Sequence, residues 1–250
     1  MEDNSKKKKL VVIPAYNEQE NIGPVVKKIR ESDKEIDIVV IDDGSTDRTA
    51  RNSRLAGARV IRLSSNMGYG VALQCGYKYG FERGYDCLVQ LDGDGQHDPD
   101  YIPELLKPVM AGDVDIALGS RFLTKTSSDE GRLHEYEAGM ARTLGIRTFS
   151  FLTTTLLGLR ITDPTSGYQA LNRRVIGFLI RDFFPCDYPD ADVVVMLHRA
   201  GFKIKEVPMI MYKRGKGKSM HSGLKPVYYV FKMLLSILMT LLRKKPIPLY

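Results

Sequence analysis

A chain of 250 residues, 43% hydrophobic and 27% charged, sits near globular averages and is long enough to bury a sizeable core, which excludes global disorder, collagen and coiled coil. Its 37 Lys and Arg against 30 Asp and Glu give +7, but nine of the positive charges come after Glu206, the last acidic residue, so residues 1–206 carry −2. A mildly acidic body with basic ends is not the footprint of a nucleic-acid binder, so no nucleic-acid partner is expected.

Leu10–Ile13 is a short apolar run closed by Pro14, the pattern of a buried strand. Asn21–Arg30 has helical spacing through Ile22, Val25, Val26 and Ile29. Ile36–Ile41 is a second strand, breaking at Asp42-Asp43-Gly44-Ser45, and Thr46–Ala56 a helix. Arg59–Leu63, Asp86–Leu91 and Val114–Leu118 are further strands, separated by helices at Gly68–Arg83 and Pro99–Met110. This alternation predicts βαβ units with a mostly parallel sheet.

The second half is less regular. Thr124–Gly139 is read as a loop, and Arg142–Leu157, Arg173–Ile180 and Asp192–Ala200 as helices. Lys203–Met211, which contains Pro208, reads as an edge or bent strand. Lys213–Ser222 is a Gly- and Lys-rich loop. Val227–Leu242 is largely apolar but shorter than the ~20 residues a membrane span needs. Lys225 and Arg243-Lys244-Lys245 flank it, so an amphipathic helix on an anionic membrane surface is expected. Packing on the core or in a homo-oligomer is the alternative.

Cys75, Cys87 and Cys186 show no CxxC spacing and give no zinc site or disulfide framework, consistent with a reducing cytosol. The N-terminal apolar segment is too short for a signal-peptide core. There is no GxxxxGK[ST], no GxGxxG after the first strand and no GxSxG.

Ligands of an open parallel sheet bind at the carboxyl ends of its strands. The segments at those ends are polar or acidic: Pro14-Ala15-Tyr16-Asn17-Glu18, Asp42-Asp43-Gly44-Ser45, Asn66-Met67-Gly68, Asp92-Gly93-Asp94-Gly95-Gln96-His97 and Gly119-Ser120-Arg121. Asp92 and Asp94, with one Gly between, can turn oxygens toward one hard cation such as Mg²⁺ or Mn²⁺. An EF-hand is excluded, because the twelfth position from Asp92 is Pro103.

This ordered set resembles family 2 glycosyltransferases of the GT-A fold. Asp163-Pro164-Thr165-Ser166-Gly167-Tyr168, Glu206-Val207-Pro208 and Arg214-Gly215-Lys216-Gly217-Lys218-Ser219 resemble the dolichyl-phosphate mannosyltransferase and polyprenyl-phosphate glycosyltransferase branch. The resemblance runs from about residue 10 to 222. It implies a basic tail at 1–9, a GT-A domain at 10–222, and a helix and tail at 223–250.

It also implies roles. Asn17, Glu18 and Asp42 bind base and ribose of a nucleotide sugar, within a site that includes Pro14, Tyr16, Asp43, Asn66, Gly68 and Ser166. Asp92, Asp94 and Gln96 hold Mg²⁺ or Mn²⁺ and the diphosphate. Arg121 contacts a phosphate, and Arg214 and Lys218 close over the phosphates. The implied reaction is inverting sugar transfer from a UDP- or GDP-sugar to a polyprenyl phosphate, by a peripheral protein on the cytosolic membrane face. A sugar hydroxyl of a lipid-linked glycan is the alternative acceptor; it needs a carboxylate base, for which Asp192 or Asp190 stands in place, with an N-cap as the other role for Asp190. Tyr69 and Gln169 depart from the common family pattern, which bears on the acceptor. With no Trp in the chain, a QxxRW motif is absent.

Overall fold

The structure is a computed structural model that describes residues 7–123, 150–151, 154–155, 158–187, 189–212 and 225–243. The first half shows the expected alternation: β1 (Lys9–Ala15), α1 (Ile22–Ser32), β2 (Asp37–Asp42), α2 (Thr49–Leu55), β3 (Arg59–Arg62), α3 (Tyr69–Glu82), β4 (Cys87–Gln90), α4 (Ile102–Met110) and β5 (Ile116–Ser120). A 3-10 turn, Pro99–Tyr101, leads into α4, and the Asp98 carboxylate caps it by accepting from the Asp100 amide. Then come β6 (Gln169–Asn172), α5 (Arg173–Leu179), α6 (Ala191–Arg199), β7 (Ile204–Pro208) and α7 (Lys225–Leu242).

The strands form one seven-stranded sheet in the order β3-β2-β1-β4-β6-β5-β7. Every pairing is parallel except those of β6, which runs antiparallel between β4 and β5. Strand alternation splits the core into two layers. Leu10, Val12, Val39, Ile41 and Leu88 face α3, α5 and α6 through Leu73, Tyr77, Ile176, Phe178 and Val194. Val11, Ile13, Ile38, Val40 and Val89 face α1 and α4 through Ile22, Val26, Ile29, Leu105 and Val109. Burial on both faces explains why these strands read as unbroken apolar runs.

Three details correct the sequence reading. β1 runs through Pro14 to Ala15, because its pairing to β4 ends at Val12 and Pro14 interrupts no ladder there. β6 carries no strand signal of its own: Gln169-Ala170-Leu171-Asn172 is too short and polar, and only its place between two strands makes it one. Asp190 occupies the N-cap position of α6, but its side chain makes no cap hydrogen bond. The loop at 124–139 and the basic loop at 213–222, with Arg214 and Lys218, lie outside the described residues, as does most of the helix expected at 142–157.

α7 lies on α6 through buried Met233 and Ile237. From α6, Arg199 donates to the carbonyls of Thr240, Leu241 and Arg243, satisfying the open end of α7. No described helix is long and apolar enough to cross a membrane.

Candidate active site

Parallel β1, β2 and β4 end on one edge of the sheet, and their loops are stitched together there. Asn17 turns the chain after β1 with φ 55°, a left-handed conformation uncommon outside Gly. Its amide donates to Ser45 Oγ at 2.9 Å, and its Oδ1 accepts from the Thr46 amide at 2.9 Å. The Glu18 amide donates to Thr49 Oγ1, and the Glu18 carboxylate accepts from Asn21 Nδ2. Gly44 has φ +70°, and a Cβ there would lie 2.4 Å from the Ser65 carbonyl carbon, so only Gly fits.

The two carboxylates at the end of β2 are structural in different ways. Asp43 accepts from the amides of Met67 (2.7 Å) and Gly68 (3.0 Å), fixing the Asn66-Met67-Gly68 turn that opens α3. Asp42 is wholly buried. Its Oδ1 accepts from the Ser45 amide, while Oδ2 has no hydrogen-bond partner and lies 3.3 Å from Arg62 Nε. A buried carboxylate oxygen without a donor is costly. Pro14 is buried beside these loops, whereas Tyr16, Asn17 and Asn66 are exposed.

The acidic loop comes directly after β4. Asp92, Asp94 and Gln96 are partly exposed, and buried His97 lies beneath them. Burial, the main cause, pulls the imidazole pKa down to about 4, with Arg121 acting the same way against the raising influence of Asp94 and Asp163. The neutral ring accepts from the Asp92 amide through Nδ1 at 3.2 Å and stacks on Tyr168. Tyr69 Oη donates to Asp92 Oδ1 at 2.8 Å, and Asp94 Oδ1 accepts from the Gln96 amide at 3.0 Å. Gln96 Nε2 donates to the Tyr212 carbonyl, and Tyr212 Oη donates to Asp98, tying this loop to the segment after β7.

Arg121, at the end of β5, is held by buried Asp163. Nε and Nη2 each reach a different carboxylate oxygen at 2.6 Å, and Nη2 also donates to Thr165 Oγ1 at 3.1 Å. Glu206 of β7 accepts from the amides of Thr162 and Asp163, holding the Asp163 turn in place. Ser166 is buried beside that turn and accepts from the Tyr168 amide.

Asp190 and Asp192 diverge. Asp192 is buried, with Oδ1 accepting from the amides of Asp190 and Val193 and Oδ2 from Ser236 of α7. Burial raises its pKa above the ordinary carboxylate value, against these hydrogen bonds. Asp190 is partly exposed, and its charge is felt at the Tyr69 phenol. His97 and Asp163 sit inside the sequence motifs but carried no assigned role there, and neither Gln90 nor the Tyr69 contact was marked by the sequence. A polar Gln90 ending an otherwise apolar buried strand was the available signal.

Among the described residues there is no cluster of three or more His, Cys, Asp or Glu side chains fit to hold a metal. The donor set of Asp92, Asp94 and Gln96 nevertheless suits a hard cation: two carboxylates and an amide whose nitrogen is turned to Tyr212, leaving its carbonyl oxygen as the donor. That chemistry fits Mg²⁺ or Mn²⁺ with substrate phosphates completing the shell.

A mostly parallel sheet with helices on both faces, an acidic loop after β4 and stitched loops at one strand edge define a GT-A glycosyltransferase fold. The family model for glycosyl transferase family 2 matches residues 10–178, and the chain belongs to that family. It is 34% identical over 224 residues to polyprenol monophosphomannose synthase of Mycolicibacterium smegmatis, covering 86% of this chain and 81% of that protein. It is 31% identical over 221 residues to undecaprenyl-phosphate mannosyltransferase of Micrococcus luteus, covering 86% and 87%. Among solved structures, glucosyl-3-phosphoglycerate synthase of Mycobacterium tuberculosis, in complex with Mn²⁺ and UDP-glucose, superposes with a TM-score of 0.70 at 22% identity, covering 94% of this chain and 78% of that one.

Proposed function

We propose that this protein transfers a sugar from a nucleotide diphosphate sugar to a polyprenyl phosphate, with inversion, at the cytosolic face of a membrane. The observation that carries this reading is the acidic Asp92–Asp94–Gln96 loop beside the stitched β1 and β2 loops, in a chain 34% identical to a polyprenol monophosphomannose synthase. Asn17, Glu18 and Asp42 take the nucleoside end, with Asp43 and the Asn66–Gly68 turn as its wall. Asp42 is covered by Arg62 and Ser45, so direct contact needs that cover to shift.

A divalent cation held by Asp92, Asp94 and Gln96 would supply positive charge to the departing diphosphate. An acceptor phosphate oxygen bonds to the anomeric carbon from the face opposite the bond to the nucleotide. That bond breaks, and its electron pair leaves on the diphosphate. The acceptor is already anionic, so no side chain must take its proton. Arg214 and Lys218 supply cationic charge to phosphates; Arg121 is buried against Asp163, so direct contact with a phosphate needs that cover to shift. The engagement of Asp192 with Ser236 and two amides favours a phosphate acceptor over a hydroxyl one. Asp190, whose charge reaches Tyr69 beside Asp92, is the base if a hydroxyl is the acceptor.

α7 supplies the membrane contact. Phe231, Leu234, Leu235, Leu238, Met239 and Leu242 are exposed along the side opposite buried Met233 and Ile237, and no acidic residue comes after Glu206. The test is a transfer assay of UDP- and GDP-sugars with short polyprenyl phosphates and Mn²⁺ or Mg²⁺. Glycosyl-phosphate product lost on Asp94→Ala and on chelation is expected; full activity in EDTA would refute the metal role, and product only with glycan hydroxyl acceptors would refute the phosphate acceptor.

A further inference from the structure

Four side chains run in file from the core to the acidic loop. Tyr77 Oη donates to Gln90 Oε1, Gln90 Nε2 donates to Tyr69 Oη at 3.2 Å, and Tyr69 Oη donates to Asp92 Oδ1 at 2.8 Å. Tyr69 and Tyr77 lie eight residues apart on α3, hence on one face. Gln90 is the last residue of β4, two before Asp92. Tyr77 and Gln90 are buried.

The direction of this file is forced from its far end. An ionised carboxylate only accepts, so the Tyr69 proton points to Asp92. Tyr69 Oη must then accept from Gln90, which places the amide nitrogen toward Tyr69 and the amide carbonyl toward Tyr77. Tyr77 must donate to that carbonyl. Every proton in the file points toward Asp92. The Ser166–Tyr168 turn closes the other side: a Cβ at Gly167 would lie 3.1 Å from Asp92 Oδ2 and 3.2 Å from Tyr69 Oη.

We propose that Tyr69 is a positioning residue for Asp92, fixing which carboxylate oxygen is presented to the divalent cation and diphosphate, and that Gln90 and Tyr77 fix the direction of its hydrogen bond. The proposal rests on the metal reading above. Partners of metal-ligating carboxylates act this way, by orienting the ligand. Tyr69 departs from the common family pattern, and this contact gives the departure a role: a neutral donor restrains Asp92 without adding a cation.

The test measures Mn²⁺ binding, by the paramagnetic resonance signal of free Mn²⁺, to the full chain with UDP and separately with GDP. Tyr69→Phe keeps the ring and removes the hydroxyl, and is expected to weaken Mn²⁺ binding about tenfold. Tyr77→Phe, remote from the cation, frees the Gln90 amide to flip and is expected to weaken it about threefold, the scale of a neutral hydrogen bond. Tyr85→Phe is the control: it removes a hydroxyl bonded to Asp37, at the opposite end of β2, and is expected to lower thermal stability without moving Mn²⁺ affinity. Wild-type Mn²⁺ affinity in both Tyr69→Phe and Tyr77→Phe overturns the positioning role. Should Tyr69→Phe fail to fold, an unchanged affinity in Tyr77→Phe overturns it alone. No Mn²⁺ binding by the wild-type chain with either nucleotide overturns the metal reading itself.

Discussion

Asp163→Asn tests the floor of the site. The Asp163 carboxylate is wholly buried, the Arg121 side chain is 6% exposed, and both oxygens are engaged at 2.6 Å by the guanidinium. Oδ2 also accepts from the Arg121 amide at 3.2 Å. Asparagine keeps the shape, but it puts an NH₂ donor against an N–H donor and leaves a buried guanidinium without its countercharge. With both groups shielded from water, solvent screening does not reduce the cost. Removing one partner of a buried ion pair costs about 3–5 kcal/mol; one oxygen remains to accept, so the lower end, about 3 kcal/mol, applies. At about 2–4 °C per kcal/mol for a chain of this size, the Tm falls by about 10 °C. Thermal unfolding monitored by circular dichroism reads this directly, and Glu206→Gln provides a milder lesion of the same support. A Tm within about 2 °C of wild type would refute the claim that this pair is a structural strap, since a loss of about 3 kcal/mol cannot hide in so small a shift.

The packing of α6 against α7 sets three further outcomes. Asp192→Asn keeps the contact to Ser236 and should leave kcat within about threefold of wild type, less than the hundredfold or more a general base contributes; a loss of that larger size would show that a hydroxyl acceptor is deprotonated there. Because burial raises the Asp192 pKa, the folded chain holds that proton more tightly than the unfolded one. The stability this gives is complete below the ordinary value of 3.8 and is lost as pH rises through the raised one, so Asn at 192 should flatten that decline in a pH series of melts. Leu235→Glu with Leu238→Glu charges the exposed stripe of α7 without touching Met233 or Ile237. Co-sedimentation with anionic vesicles should drop at unchanged Tm; unaltered sedimentation would mean that the stripe serves another contact.

The layer architecture was legible because β1, β2 and β4 are buried on both faces and read as apolar runs, while α1 and α4 carry their periodicity openly. The acidic loop was legible because Gly residues and paired carboxylates mark a turn whatever surrounds it. β6 was not, because its four residues become a strand only through β4 and β5 on either side. Residue types and spacing likewise could not choose between Asp190 and Asp192. Two residues apart at a helix start, they point different ways, and it took Ser236 of α7, 44 residues downstream, to claim Asp192. The same holds for Tyr69: its place after Asn66-Met67-Gly68 was plain, but its hydroxyl meets Asp92 only because α3 packs across β1 and β2, beside the end of β4. Local pattern thus determined the elements and the chemistry at their ends. Long-range packing, which decides direction and burial, determined which carboxylates face the site and which hold the fold.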